Sequence, residues 1–151
     1  MNLNKKTPPR GFSLVELLVV LSIIGIIAAI SVPTYKTIGP DLNLNAASRD
    51  VASDLKLAQQ LAVTEQNIYS VIFNLDQNSY QIKNNVTEQV IKNIILNSQI
   101  NISTSSGLTA NTAAFNATGA ALETGTITLT NANNHQATIE IKPSGYVKIQ
   151  N

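Results

Sequence analysis

The sequence has no cysteine and no tryptophan, and its 151 residues include only one histidine, three phenylalanines and four tyrosines. The lack of cysteine excludes a disulfide framework, a cysteine-based zinc site, a thiol nucleophile and a lipid-modified N-terminal cysteine. A folded core must therefore be built mainly from Ile, Leu, Val and Ala. The length predicts one domain of ordinary size.

Charge is also scarce, with ten Lys and Arg against nine Asp and Glu. Three of the basic residues, Lys5, Lys6 and Arg10, precede a long apolar run. From Pro33 onward seven basic residues face eight acidic ones, so this part is nearly neutral. Its C-terminal end offers only Lys142, Tyr146 and Lys148 to a polyanion. Nucleic-acid binding is therefore not expected, because affinity depends on the number of phosphates neutralised.

Groups that carry catalysis or bind metals are few and scattered. His135 lies in a loop-like segment between two predicted strands, and no second histidine or cysteine can join it on a metal. The spacing of a calcium loop is missing among the scattered acidic residues Asp76, Glu88, Glu123 and Glu140. We expect no enzyme activity, no cofactor and no metal.

Residues 12–32 form an apolar run of 21 residues, FSLVELLVVLSIIGIIAAISV. As a helix this run spans roughly 31 Å, the thickness of a bilayer core. The basic residues on its N-terminal side place Met1 in the cytoplasm and the chain after Pro33 outside. The sequence thus predicts a single-pass membrane anchor followed by an exported part.

Glu16 is unusual for an anchor because it lies inside the apolar run, where a charged side chain costs about 2.5–3.5 kcal/mol. One interpretation is that Glu16 reaches the headgroups and benefits from the positive end of the helix dipole. The other is that its carboxylate meets a cation from another molecule.

The segment KTPPRGFSLVE, residues 6–16, resembles the cleavage and methylation motif of type IV prepilins. The resemblance implies that a prepilin peptidase cuts between Gly11 and Phe12 and methylates the new amine of Phe12. Residues 1–11 would then be a cytoplasmic leader. In this family the carboxylate corresponding to Glu16 neutralises the terminal amine of a neighbouring subunit. Pro33, directly after the run, is expected to kink or end the helix, as is common in pilins.

An ordinary secretory signal is an alternative interpretation of the same run. Ala29-Ile30-Ser31 could serve as a small-x-small site that frees a soluble protein starting near Val32. The run is longer than the usual 7–15 apolar residues of such signals, and Glu16 lies near its start.

After Gly39-Pro40, where Asp41 could cap a helix, an amphipathic pattern predicts a helix to about Gln66. Arg49, Asp50, Asp54 and Lys56 are expected on its solvated face. The apolar stripe consists of Leu44, Ala47, Val51, Leu55, Ala58 and Ala62, widened by Leu57 and Leu61.

Beyond Asn67 the period changes to two, which predicts antiparallel strands. A hairpin is expected around Asp76-Gln77-Asn78, and residues 104–114, small and polar, are expected to form a mobile loop. The expected strands are 68–75, 79–83, 90–96, 99–103, 125–130, 137–142 and 146–150.

These elements predict an α+β pilin fold in which a long, proline-kinked N-terminal helix packs on a C-terminal antiparallel sheet. The expected parts are a leader (1–11), an assembly helix (12–32), an amphipathic helix (33–66) and a β-rich part (67–151). LKLAQQLAVTEQN, Phe115 with Gly119, and IEIKPSGYVKI resemble the H-type minor pseudopilin domain of type II secretion systems and of DNA-uptake minor pilins.

The resemblance implies a minor pseudopilin, a structural subunit that assembles with other pilin-like subunits at the inner membrane into the filament of a type II secretion system. Alternatives are a minor or major pilin of a type IV pilus, used in adhesion, motility or DNA uptake.

Overall fold

A computed structural model describes the backbone of residues 11–150 and the side chains of residues 11–31 and 38–150. Of the predicted leader, residues 1–11, the first ten residues lie outside the described residues. The chain divides into two units, Met1–Thr37 and Ile38–Asn151, and the second contains all the strands.

Helix α1, Leu14–Glu65, is the only α-helix in the described part of the chain. Gly39-Pro40 does not interrupt it, so the prediction that Asp41 caps a separate helix is wrong. A proline inside a helix removes one backbone hydrogen bond, and burial of the following turns outweighs that loss here. Pro33 also lies within α1, and its side chain is outside the described residues; the kink expected there stays a prediction.

The apolar stripe predicted for the second half of α1 is confirmed. Its central residues are fully buried, whereas Ala47, Leu57 and Leu61 are partly buried against the same core. The buried members are Leu44, Val51, Leu55, Ala58 and Ala62.

Eight strands follow, in two four-stranded antiparallel sheets rather than the single sheet expected. Sheet A has the order β3-β2-β1-β5, and sheet B has the order β4-β6-β7-β8. The strands are β1 Tyr69–Asn74, β2 Ser79–Asn84, β3 Val90–Ile95, β4 Ile100–Ser106, β5 Thr112–Phe115, β6 Gly125–Asn131, β7 Gln136–Ile141 and β8 Val147–Gln150.

The prediction of a mobile loop at residues 104–114 is wrong. Strand β4 continues to Ser106, a 3-10 turn covers Thr109–Asn111, and β5 begins at Thr112. Strand β5 pairs with β1, so that Ala113 and Phe115 enter the core. This short strand was not predicted because its small and polar residues obscure the alternation of buried and exposed positions in the sequence.

The hairpin predicted around Asp76-Gln77-Asn78 is confirmed by pairing of β1 with β2, from Asn74 opposite Ser79 to Tyr69 opposite Asn84. One core joins both sheets to α1. Its sheet residues include Tyr69, Val71, Phe73, Tyr80, Ile82, Phe115, Ile127, Leu129, Ile139 and Ile141.

Candidate functional site

The N-terminal segment is an apolar helix that contains no buried residue. Residues 11–31 are all exposed, including Phe12 and Leu14. Leu14–Ser31 is long and apolar enough to cross a membrane. Because this much apolar surface is unfavourable in water, the segment requires a lipid or protein environment.

Glu16 lies in the first turn of α1, where the N-terminal end of the helix dipole favours a negative charge. Ser13 precedes the helix, and its carbonyl accepts a hydrogen bond from the N–H of Leu17 (3.1 Å). Ser13 and Glu16 therefore have the spacing of a capping box, which stabilises the start of a helix. This is a second role for Glu16, and it requires no other molecule. Among the described side chains, residues 11–31 and 38–150, no ion pair includes Glu16.

The structure brings together the three segments that resemble the H-type domain. Gln59 of α1 donates a hydrogen bond from Nε2 to the carbonyl of Gly119 (2.7 Å) in the loop between β5 and β6. Gly145, in the turn between β7 and β8, packs against both: a Cβ there would lie 2.0 Å from the Gly119 oxygen and 2.2 Å from Gln59 Nε2. This three-way junction joins α1 to the ends of both sheets.

Gly145 should not tolerate a side chain. It has φ +79°, and an added Cβ would meet a backbone oxygen that cannot move away. We expect Gly145→Ala to lower the free energy of unfolding by about 2–5 kcal/mol, from backbone strain and overpacking together. Urea unfolding of the full chain in detergent, followed by tyrosine fluorescence, measures this. The neighbouring Ser144→Ala should change it by less than about 0.5 kcal/mol; equal effects would contradict the packing argument.

Asp54 was expected on the solvated face of α1, and this expectation is wrong. Its side chain is buried, accepts a hydrogen bond from the Tyr80 hydroxyl (2.7 Å) and pairs with Lys92 Nζ (2.7 and 2.9 Å). Burial and the hydrogen bond to Asp54 raise the pKa of Tyr80 far above its ordinary value, so the phenol stays a donor. The cluster connects α1 to β2 and β3.

Removing the Asp54 carboxylate leaves a buried hydroxyl without an acceptor. We expect Asp54→Ala to cost about 2–4 kcal/mol of stability, less than a fully buried ion pair because Lys92 can turn to solvent. Asp50→Ala, an exposed acid one turn earlier, is the matched control and should change stability by less than about 0.5 kcal/mol. The same urea titration compares them, and similar losses would contradict the role of the cluster.

His135 is exposed, as expected of a loop residue, but its Nδ1 lies 2.7 Å from Asp41 Oδ1. Asn131 Nδ2 also donates to that oxygen (2.7 Å), while Asn131 Oδ1 accepts from the N–H groups of Asn133 and His135. The contact with His135 lowers the pKa of Asp41 below its ordinary value of 3.8. Asp41 thus fixes the tip of the β6–β7 hairpin instead of capping a helix.

Since the pKa of Asp41 is lowered in the folded state, its stabilising effect is present above about pH 4 and is lost as the pH falls below 3.8. We expect the melting temperature of wild type to fall more steeply between pH 4 and pH 2 than that of Asp41→Asn. Thermal melts of both proteins across this range provide the measurement, and parallel curves would contradict it.

The other acidic residues set aside from the sequence do not come together. Glu88 pairs with Lys83, Glu123 accepts from the N–H of Thr109 (2.6 Å), and Glu140 accepts from Gln150 (2.9 Å). In residues 11–150 no three His, Asp or Glu side chains group as metal ligands.

Comparison with known proteins adds two matches along the chain. Residues 8–32 match the prokaryotic N-terminal methylation motif, and residues 47–145 match the family model of the type II transport protein GspH. The chain belongs to the GspH family. The matched GspH region includes Gln59, Gly119 and Gly145, the three residues of the junction.

Solved structures with the same fold come from both secretion and pilus systems. The minor pseudopilin EpsH from the type 2 secretion system of Vibrio cholerae has TM-score 0.60 and 11% identity, covering 72% of this chain and 96% of that one. The type IV minor pilin FimU of Pseudomonas aeruginosa has TM-score 0.58 and 13% identity, covering 72% and 88%.

Among curated relatives, fimbrial proteins of Pseudomonas aeruginosa are 39% identical over 56 residues, or 37% of this chain and 36% of theirs. The chain thus matches about a third of the length of these relatives. The predicted pilin fold and the resemblance to an H-type minor pseudopilin are confirmed. This GspH-family chain has the pilin fold, a long N-terminal helix followed by antiparallel sheets.

Proposed function

We propose that this GspH-family chain is a minor pseudopilin of a type II secretion system, where it enters a short filament that moves folded proteins outward. The observation that carries the proposal is the order of features on one chain. The methylation motif, residues 8–32, includes an exposed apolar helix long enough to cross a membrane, and the GspH region, residues 47–145, follows it.

In this proposal a prepilin peptidase cuts between Gly11 and Phe12 and methylates the Phe12 amine. Residues 12–32 hold the subunit in the inner membrane, with its original N-terminus in the cytoplasm and residues 67–151 outside. During assembly the same helix leaves the lipid for the filament core, and Glu16 meets the amine of a neighbouring Phe12. The complete exposure of residues 11–31 supports this dual use.

The intact mass and N-terminal sequence of protein from its native membranes test the processing step. We expect a chain that starts at a methylated Phe12. A chain that still starts at Met1 would contradict processing. A chain that starts near Val32 would instead support release by ordinary signal peptidase at Ala29-Ile30-Ser31.

A minor or major pilin of a type IV pilus is the second candidate, supported by the fold shared with FimU and by the identity to fimbrial proteins. Both candidates use the same anchor and motif, so deletion phenotypes separate them. Loss of secreted proteins with intact pili is expected for the pseudopilin. Loss of pili, motility or DNA uptake with normal secretion would favour the pilin.

A further inference from the structure

A groove of about 370 Å³ lies on the face of sheet A that is directed away from the core. Its volume falls within the range of about 300–1,000 Å³ that is typical of small-molecule sites. Two rows of side chains cross strands β1, β2 and β3 and line the groove. The first row is Ile72, Gln81 and Asn93, and the second is Asn74, Ser79 and Ile95.

Ser79 is the buried member of this set. It is 8% exposed, and its side chain is directed to the groove because its neighbour Tyr80 is directed into the core. Within residues 11–150 the Ser79 hydroxyl forms no hydrogen bond. A hydroxyl that is buried and unpaired is unfavourable for folding, and this one is available to a ligand.

The side-chain amides of the groove are also unpaired. Gln81 and Asn93 lie directly opposite each other on β2 and β3, and in the described part of the chain their amides have no hydrogen-bond partner. Asn74 accepts the N–H of Gln77 at its Oδ1 (3.0 Å), and its Nδ2 has no partner among residues 11–150. Since an amide has an acceptor oxygen and donor N–H groups, the groove offers donors and acceptors close together.

None of the described residues that line the groove is charged. Lys92, next to Asn93, is directed to the other face of β3, where the Asp54 carboxylate holds its Nζ at 2.7 and 2.9 Å. A charged ligand would lose its hydration in this groove without gaining a counter-charge. We therefore expect a neutral ligand.

Two classes of neutral ligand fit this groove poorly. Strand β2, in its middle, pairs with β1 and β3, so its backbone groups are used, whereas an extended peptide binds mainly through free backbone groups. A nucleobase stacks on an aromatic face. The aromatic residue among the described lining residues is Tyr80, whose ring lies in the core, 5.7 Å from that of Phe73.

A sugar ring matches the groups that the groove offers. Sugar hydroxyls both donate and accept hydrogen bonds, and the C–H groups of the ring form an apolar face. Ile72 and Ile95 provide apolar contacts at opposite corners of the groove, and Ile95 is 76% exposed. We propose that this groove binds a neutral saccharide, whose ring contacts the two isoleucines and whose hydroxyls bond to Ser79, Gln81 and Asn93.

Titration of the full-length chain with three neutral disaccharides tests the proposal. N,N′-diacetylchitobiose has acetamido groups, as cell-wall glycans do, whereas cellobiose and maltose consist of glucose alone. The chain is kept in a detergent without a sugar headgroup, because such a headgroup would compete. We expect saturable binding of at least one disaccharide in saturation-transfer NMR, and the preferred one indicates the source of the ligand. Lack of binding of all three up to about 10 mM, where a millimolar dissociation constant is measurable, would overturn the proposal.

Substitutions in the groove test where the sugar binds. Gln81→Leu, of similar size, should weaken binding about tenfold, since it removes groups that bond to the ligand. Ser79→Ala removes a single oxygen and should weaken binding about fivefold, which keeps the test valid if Gln81→Leu does not fold. Gln136→Leu is the matched control, because Gln136 is exposed at the start of β7 in sheet B, and it should bind like wild type. Equal affinities of wild type, Gln81→Leu and Ser79→Ala would overturn the proposal.

Saccharide binding goes beyond the proposed secretion function and does not depend on it, because the groove uses only residues 72–95. The intact mass and N-terminus of the membrane-derived chain test processing separately. A correctly processed chain that binds none of the disaccharides would overturn this inference and leave the proposed function unchanged.

Discussion

Replacing Gly11 with valine should leave the chain as an uncut precursor that keeps Met1 and lacks an N-terminal methyl group. Gly11 precedes the start of α1 at Leu14, and a Cβ at Gly11 would meet nothing within 4 Å. The fold of the chain therefore tolerates the change. The block would arise in the peptidase, which must approach the peptide bond after Gly11 closely.

Gly25→Val is the matched control, because Gly25 is also exposed and also has nothing within 4 Å of an added Cβ. It lies within the apolar run that follows Gly11, 14 residues further along. We expect its processing to equal that of wild type, with a mature chain starting at Phe12. Intact masses of the three proteins from membranes give the comparison. Normal maturation of Gly11→Val would remove the peptidase assignment, and a block in both variants would point to a general effect on membrane insertion.

Much of the fold of residues 38–150 follows from periodicity. The stripe from Leu44 to Ala62 predicted the buried face of α1, and alternation of Thr and Ile predicted β6 and β7, because burial on one side of an element repeats with its geometry. Strand β5 was missed since its buried residues, Ala113 and Phe115, alternate with the small residues Thr112 and Ala114 in a segment of turn-like composition.

Contacts between residues that lie far apart in the sequence could not be predicted. Asp54 looked like one of several exposed acids, and the residues that hold it, Tyr80 and Lys92, lie 26 and 38 positions further along. The Gly119–Gly145 contact with Gln59 likewise depends on how two loops meet a helix. A resemblance to a family pattern marked these stretches, but only the fold explains why a glycine is required at Gly145.

For the predicted processing motif, the sequence is more informative than the structure. Gly11, Phe12 and Glu16 were predicted from the sequence alone, and the structure adds their exposure and the start of the helix. In the proposed function the chemistry of these residues involves other molecules, namely a peptidase, a bilayer and neighbouring subunits. This chemistry therefore depends on a short local motif and not on contacts within the chain.

Glu16→Ala should leave cleavage after Gly11 intact and remove most of the subunit from filaments. In the proposed assembly the carboxylate neutralises the Phe12 amine of a neighbour, and an unpaired charge in an apolar environment costs several kcal/mol. A loss of that size lowers incorporation at least about a hundredfold. The measurement is the amount of subunit in sheared filaments relative to membranes, together with the intact mass of the membrane pool.

Glu16→Gln separates the two roles of this residue. Glutamine at the third helical position can still close a capping box with Ser13, as glutamate can, but it has no charge to offer an ammonium group. If charge pairing drives assembly, Glu16→Gln should fail as completely as Glu16→Ala, with the mature N-terminus unchanged in both. If Glu16→Gln enters filaments normally and only Glu16→Ala fails, the side chain acts by starting the helix, and the pairing of Glu16 with Phe12 is wrong.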